Sequence, residues 1–351
     1  MRHVRFFFLL VFFPLFSGVI AGQAVIPMSS PVPKDPAAML ALAAAQNGLE
    51  APDLKPWHLR ATYQTFDEAG QTKDSGVFEE WWAGPKKYKR SYSSKNQIKT
   101  IYVTESGTYT TEPDQGSSMA EWLLTPRLLT PIPALDKEAV LIRRTLNFGS
   151  TQLDCVVVAR KMPGLGSASS ALFPTYCFEP GKPMLRWSGS YGERDSFYNH
   201  IVLFQERYVA QDVNITEDNN RPVLAAHVES VSLLTDIKDD EFTPPADAVR
   251  ADSSDPVKID SQALQKGKRI KVSVPVYPSS AKQAHIQGDV TLQVEIGEDG
   301  HVHEMRVLSA PDPSIAVSAM LAVHQWQYQP FLINGKPVRV QTQINVVFRM
   351  R

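Results

Sequence analysis

The sequence predicts an α+β chain in two folded parts. The first is a curved antiparallel β-sheet, a half-barrel with few helices; the second is a small C-terminal domain of three antiparallel strands and two helices. Three observations carry this expectation. About ten period-two hydrophobic runs follow one another at near-regular spacing between residues 57 and 234. Only two helical patterns, AAMLALAAAQNGL (37–49) and SMAEWLLTPRLL (118–129), accompany them. Finally, residues 272–349 read as helix, two strands, helix, strand.

At the start of the chain, Arg2 and Arg5 precede the apolar run Phe6–Phe16, and Gly22-Gln23-Ala24 offers a small-x-small cleavage site. A basic start, a short apolar middle and a small-residue exit make an export signal over residues 1–24. The alternative is an uncleaved inner-membrane anchor, which Pro14, Ser17 and Gln23 oppose. The expected location is the periplasm or cell envelope. Hydrophobic content of 43% and charge of 21% are those of a globular chain, and the length after the signal suits two domains. A net charge of −1, without aromatics interleaved among basic clusters, excludes nucleic acid as an expected partner.

The first domain is expected over 25–249. WHLRATYQTF alternates, with Trp57, Leu59, Ala61, Tyr63 and Thr65 on one face. GVFEEWWAG, KYKRSYSS, IKTIYVT and TYTT follow, then LIRRTLNFG, DCVVVARK, TYCFEP, PMLRWSGSYG, IVLFQERYVAQDVNITED and PVLAAHVESVSLL. Such a series curls towards a barrel. Trp57, Tyr63, Trp81, Trp82, Trp122 and Trp187 either line an apolar cup within it or form its core. Cys155 and Cys177 sit in neighbouring strand-like runs of an exported chain, where two cysteines more often pair than stay free, so a structural disulfide is expected.

Residues 250–271 lose hydrophobic periodicity and read as a linker, with a solvated basic cluster at Lys266, Lys268, Arg269 and Lys271. The second domain is expected over 272–351. Pro278-Ser279 opens a short helix that Gly288 closes. DVTLQVEIG then alternates up to a tight hairpin at Asp299-Gly300. The return strand HVHEMRVLS slips phase between Val302 and Met305, as a bulge or an edge irregularity would make it do. SIAVSAMLAVHQW places Ile315, Ala319, Ala322 and Trp326 on one helical stripe. After a turn at Asn334-Gly335, the last strand puts Val338, Val340, Thr342, Ile344, Val346 and Phe348 on one side. Arg339, Gln341, Gln343 and Asn345 lie on the other.

LKPWHLRATYQTFDEAG, GVFEEWWAGPKKY and FTPPADA resemble secreted acidobacterial-type proteins with a TonB C-terminal domain. The strand pattern of the first domain is similar to LolA/LolB-like folds, curved sheets that cup an apolar ligand. In the second domain the markers are Tyr277-Pro278, Gly288-Asp289-Val290, Asp299-Gly300-His301-Val302, Trp326-Gln327-Tyr328-Gln329-Pro330 and Asn334-Gly335-Lys336-Pro337-Val338. Together they resemble the TonB C-terminal domain. That resemblance implies an interaction protein that adds an extended segment of an outer-membrane receptor or other envelope protein beside its last strand, in the service of TonB-dependent transport. The expected edge is Arg339, Val340, Gln341, Thr342, Gln343, Ile344, Asn345, Val346 and Phe348, with Tyr277 shaping the approach. An exposed sheet edge suits this because its unpaired N–H and C=O groups supply affinity. The pattern departs from a TonB transducer in two ways: the N-terminal helix looks cleavable, and a β domain stands where a proline-rich spacer would be.

No catalytic constellation is legible, so a non-enzymatic protein without cofactor is expected. His301-x-His303 lacks further metal ligands, which leaves no metal site expected. Gly164-Leu165-Gly166-Ser167 is neither a nucleophile elbow nor a phosphate loop. Glu79-Glu80 and Asp239-Asp240 are adjacent, so on a strand each pair points to opposite faces. The competing function is a carrier of lipid or lipoprotein acyl chains in the first domain. A homodimer through the same edge stays open.

Overall fold

The structure is a computed structural model and describes residues 32–95, 98–112, 118–165, 172–191, 194–217, 220–251 and 256–350. The expected export signal lies outside these, as do Gly166 and Ser167.

Helix α1 (Pro36–Asn47) begins where Asp35 accepts the Ala38 N–H at 2.7 Å, with proline in the first turn. Its last residue, the buried Asn47, donates to the carbonyls of Ala43 and Pro183 and accepts the Leu185 N–H. One amide side chain thus ends the helix and fastens it to the sheet. The strands are β1 (Trp57–Phe66), β2 (Thr72–Gly84), β3 (Lys87–Ser94), β4 (Ile98–Thr104) and β5 (Gly107–Thr110). A π-helical turn (Ala120–Leu124) then runs into α2 (Thr125–Leu129). The chain returns through β6 (Ala139–Phe148), β7 (Thr151–Arg160), β8 (Thr175–Phe178), β9 (Leu185–Gly189), β10 (Asp195–Phe204), β11 (Arg207–Glu217), β12 (Arg221–Leu233) and β13 (Val249–Arg250). They form one unclosed antiparallel sheet in the order β13-β5-β4-β3-β2-β1-β12-β11-β10-β9-β8-β7-β6.

Two helical segments fill the concave side. Met39, Leu40 and Ala43 of α1, with Leu123, Leu124, Leu128 and Leu129 around α2, pack on Trp57, Leu59, Ala61, Phe78 and Trp82. The run expected as one strand over 201–218 is instead a hairpin that turns at Gln205-Glu206, both at positive φ (46° and 62°). Neither residue belongs to the types that favour that turn, which is why the alternation conceals it. Cys155 and Cys177 lie opposite one another on β7 and β8 with Cα atoms 4.0 Å apart, and they form a disulfide. The bridge closes a loop with a sequence separation of 22. Replacing both cysteines by alanine is expected to cost about 3 kcal/mol by loop entropy. Urea unfolding reads this out; an unchanged midpoint would show that the bridge adds nothing to the buried cluster around Leu153.

Beyond the sheet come β14 (Val257–Lys258), α3 (Ser261–Lys266) and β15 (Arg269–Lys271). The small domain follows as α4 (Ser279–Gln283), β16 (Gly288–Ile296), β17 (Val302–Ser309), α5 (Pro313–His324), β18 (Gln327–Tyr328), β19 (Leu332–Ile333), β20 (Lys336–Pro337) and β21 (Val340–Phe348). Val290, Leu292, Val294 and Ile296 pack under Ile315, Ala316, Ala319, Met320 and Val323 of α5. The predicted slip is a bulge: Glu295 pairs with Glu304 and Ile296 with Val302, leaving His303 as the extra residue. Val302, Met305 and Val307 all remain buried because of it. The two units share one apolar cluster, in which Val157 and Ala159 of β7 and Leu172 and Phe173 ahead of β8 join the small domain's core.

Candidate functional site: the open edge of the small sheet

The small sheet runs β14-β21-β16-β17, so the three expected antiparallel strands gain a two-residue parallel neighbour from the linker. Strand β17 lies beside β7, across a cavity of about 110 Å³ lined by Arg160, Tyr176, Gln293, Arg306 and Leu308 among others. On the opposite side β21, the strand expected to bind, is covered by β14 over two residues only.

Along a strand, backbone groups alternate between the two sides with the same period as the side chains. The direction is fixed at the head of β21. The Val257 N–H donates to the Arg339 carbonyl at 2.9 Å and the Ile259 N–H to the Gln341 carbonyl at 3.0 Å. Arg339, Gln341, Gln343, Asn345 and Val347 therefore turn their N–H and C=O groups outward. Val340, Thr342, Ile344, Val346 and Phe348 turn theirs to β16, with which they pair from Ile296 back to Gly288. The inward set is buried beneath α5. Gln343, Asn345 and Val347 are exposed on the other face, Val347 at 57%. The expected edge thus divides in two: its first part meets the linker, and the stretch from Gln343 to Val347 extends past β14. Tyr277 stands at the far end, its ring edge-on to Phe348 and its hydroxyl donating to the Ile286 carbonyl.

The head of β21 also meets the large sheet. The Arg339 guanidinium sits 3.1 Å from Glu295 and 5.8 Å from the ring centroid of Trp122. The same indole carries Arg194 at 5.0 Å and meets the His303 ring at 5.2 Å. Arg194 approaches His303 Nδ1 at 3.0 Å, while His303 Nε2 lies 2.9 Å from Asp299. Arg127 and Glu304 face each other at 3.7 Å. Burial lowers the Arg194 guanidinium from its ordinary range, and burial with nearby Glu304 raises the Glu295 carboxyl. Burial would also raise Asp299, but hydrogen bonding and charge from His303 hold it below the usual carboxylate value. The bulged His303 thus serves the junction between the units, a role that the HxH spacing does not suggest. Among the described residues, no group of His, Cys, Asp or Glu is arranged to hold a metal ion.

The six aromatics expected as a cup or core are split by the fold. Trp57, Tyr63 and Trp82 lie buried in the concave core. Trp81, next to Trp82 on β2, points to the opposite face, stacking on His58 under Lys89. Trp187 packs against Phe148 over the disulfide, and Trp122 sits at the junction. A single cup of six is therefore ruled out by strand parity. The concave cavity lined by Asn47, Arg127, Leu128, Leu185, Tyr198 and Ala210 measures about 10 Å³, at most a single water's space. Among the described residues no helix is long and apolar enough to cross a membrane.

A small α+β domain with one sheet edge left partly open is a class of binding module. Residues 273–350 match the family model of the Gram-negative bacterial TonB protein C-terminal, so the C-terminal unit is a TonB-type C-terminal domain. Over 108 residues the chain is 27% identical to Protein TonB of Vibrio cholerae serotype O1; the match spans 30% of this chain and 42% of that protein, less than half its length. A LolA superfamily protein from Nitrosomonas europaea overlays 60% of this chain and 97% of its own, with 9% identity and a TM-score of 0.40. A putative outer membrane lipoprotein-sorting protein domain from Vibrio parahaemolyticus overlays 58% and 94%, with 5% identity and a TM-score of 0.37. The TonB-type domain fits a protein of the bacterial cell envelope.

Proposed function

We propose that this chain is an envelope interaction protein whose C-terminal domain binds an extended segment of another envelope protein, an outer-membrane receptor foremost, by adding it as a strand beside β21. The observation that carries the reading is the edge itself: Gln343, Asn345 and Val347 turn backbone groups outward beyond the reach of β14. Main-chain bonds there would supply affinity, and the exposed side chains of the same three residues would supply selectivity. The match of residues 273–350 to the TonB C-terminal family supports the partner class. The protein does no chemistry in this reading; it holds a partner in the envelope and serves TonB-linked transport. A filled concave face gives the carrier reading no support, because an acyl chain would have to displace α1 or α2.

The test is amide chemical-shift mapping of the full chain with a TonB-box peptide from an outer-membrane receptor. Perturbations are expected at Gln343, Asn345 and Val347 and fade towards β17. Shifts confined to β17 or to the large sheet would overturn the assignment.

A further inference from the structure

From the pairing of β14 with β21 we infer that the linker is a built-in occupant of the docking edge, which a full-length partner strand must displace. The inference rests on the strand-addition reading and adds its regulation. The linker's Val257 and Ile259 N–H groups donate to the Arg339 and Gln341 carbonyls. Its register is parallel, Val257 to Val340 and Lys258 to Gln341. These are the first two of the five outward positions on the strand.

The segment behaves as a ligand would. Ile259 turns towards the small domain's core and packs on it, while Lys258 is exposed. An apolar residue pointing in and a polar one pointing out is the alternation that a strand laid on this edge requires. Immediately after, Asp260 caps α3 by accepting the Ala263 N–H at 2.7 Å, and Leu264 is buried in the same core. The short helix thus tethers the strand next to its site, which keeps the local concentration of the occupant high. The hold is nevertheless slight. Val257 is 37% exposed, and the pairing ends after two residues. Gln343–Val347 offers five residues, so a partner strand of six or more must run into β14. The linker also specifies its competitor: an extended segment with a branched apolar residue at the Ile259 position and a polar or basic one at the Lys258 position.

The experiment uses the full chain and a labelled synthetic peptide copying residues 256–262 (Pro-Val-Lys-Ile-Asp-Ser-Gln). Val257→Pro with Ile259→Pro removes both N–H donors without touching β21. Ile259→Asp removes the buried anchor while leaving the backbone bonds available, and serves if the double proline disturbs folding. Fluorescence anisotropy is expected to give peptide affinity at least about tenfold tighter for either variant than for the unaltered chain, the equivalent of releasing one or two net hydrogen bonds. Equal affinity for all three chains would overturn the linker's role and leave strand addition standing. No binding to any of them, with the variants folded, would remove both.

Discussion

Replacing Arg90 by methionine is expected to destabilise the protein by about 3–5 kcal/mol at pH 8, and by less at pH 5. Arg90 is on β3 of the large sheet, its guanidinium 2.6 Å from Glu80 and 2.6 Å from Glu50. Glu80 is fully buried, and one of its carboxylate oxygens has no hydrogen-bond partner. Burial pushes its pKa up to about 7 against the pull of Arg90. The sign follows. A carboxyl whose pKa is raised on folding binds its proton more tightly in the native state. Its contribution is therefore fully present below its ordinary value of 4.5 and is lost as the pH rises through about 7. Without the guanidinium the pKa climbs further. At pH 8 the variant must either bury a bare anion or take up a proton against the solution. At pH 5 the group is already neutral. Urea unfolding at the two values measures the difference, expected to exceed about 1.4 kcal/mol, the equivalent of one pKa unit. Adding Glu80→Gln to Arg90→Met should recover part of the loss, because the second change removes the stranded charge. A variant within about 1 kcal/mol of the parent at both pH values would mean that water reaches Glu80.

That cluster also marks where the sequence was and was not readable. Glu79-Glu80 is legible as two carboxylates on opposite faces, and the structure puts Glu79 with His58 and Arg60 and Glu80 in the core. The same parity on β2 separates Trp81 from Trp82, so the adjacency that counted against a shared acid site counts equally against a shared cup. What periodicity cannot tell is which partner waits inside. Arg90 comes from the neighbouring strand, where Glu80 faces it in register, and registers are set by turns and packing rather than by either strand's pattern.

The small domain was more legible because its signals are local. The Asp299-Gly300 turn, the phase slip at His303 and the Ile315–Trp326 stripe are each read from one short stretch of sequence and need no distant partner. Two contacts escaped. The linker strand Val257–Lys258 is too short to show a period, and its N–H bonds exist only because β21 offers carbonyls there. The junction built on Trp122, Arg194, His303 and Arg339 joins residues far apart in sequence, and no local pattern links any one of them to the others. The head of the proposed docking strand is held on its edge by the linker and, through Arg339, by Trp122 of the first domain, while its tail extends past both.

The tail can be tested by two neighbouring prolines with opposite expected outcomes. Ile344 turns its N–H to Leu292 of β16, and its side chain is buried under α5. Ile344→Pro therefore removes a ladder bond from an interior pairing and a packed side chain together, at an expected cost of about 3 kcal/mol or more. Asn345 is its neighbour, but its N–H points outward past the end of β14 and its side chain is exposed. A proline whose missing donor faced solvent is tolerated on an edge strand, so Asn345→Pro should stay within about 1 kcal/mol of the parent. It should nonetheless weaken binding of a TonB-box peptide at least about fivefold, the equivalent of one net hydrogen bond. Thermal unfolding and peptide titration on the same two variants separate the effects. If Asn345→Pro unfolds as readily as Ile344→Pro, the outward direction assigned to the odd residues is wrong. If it folds and binds with unchanged affinity, the partner does not use this edge.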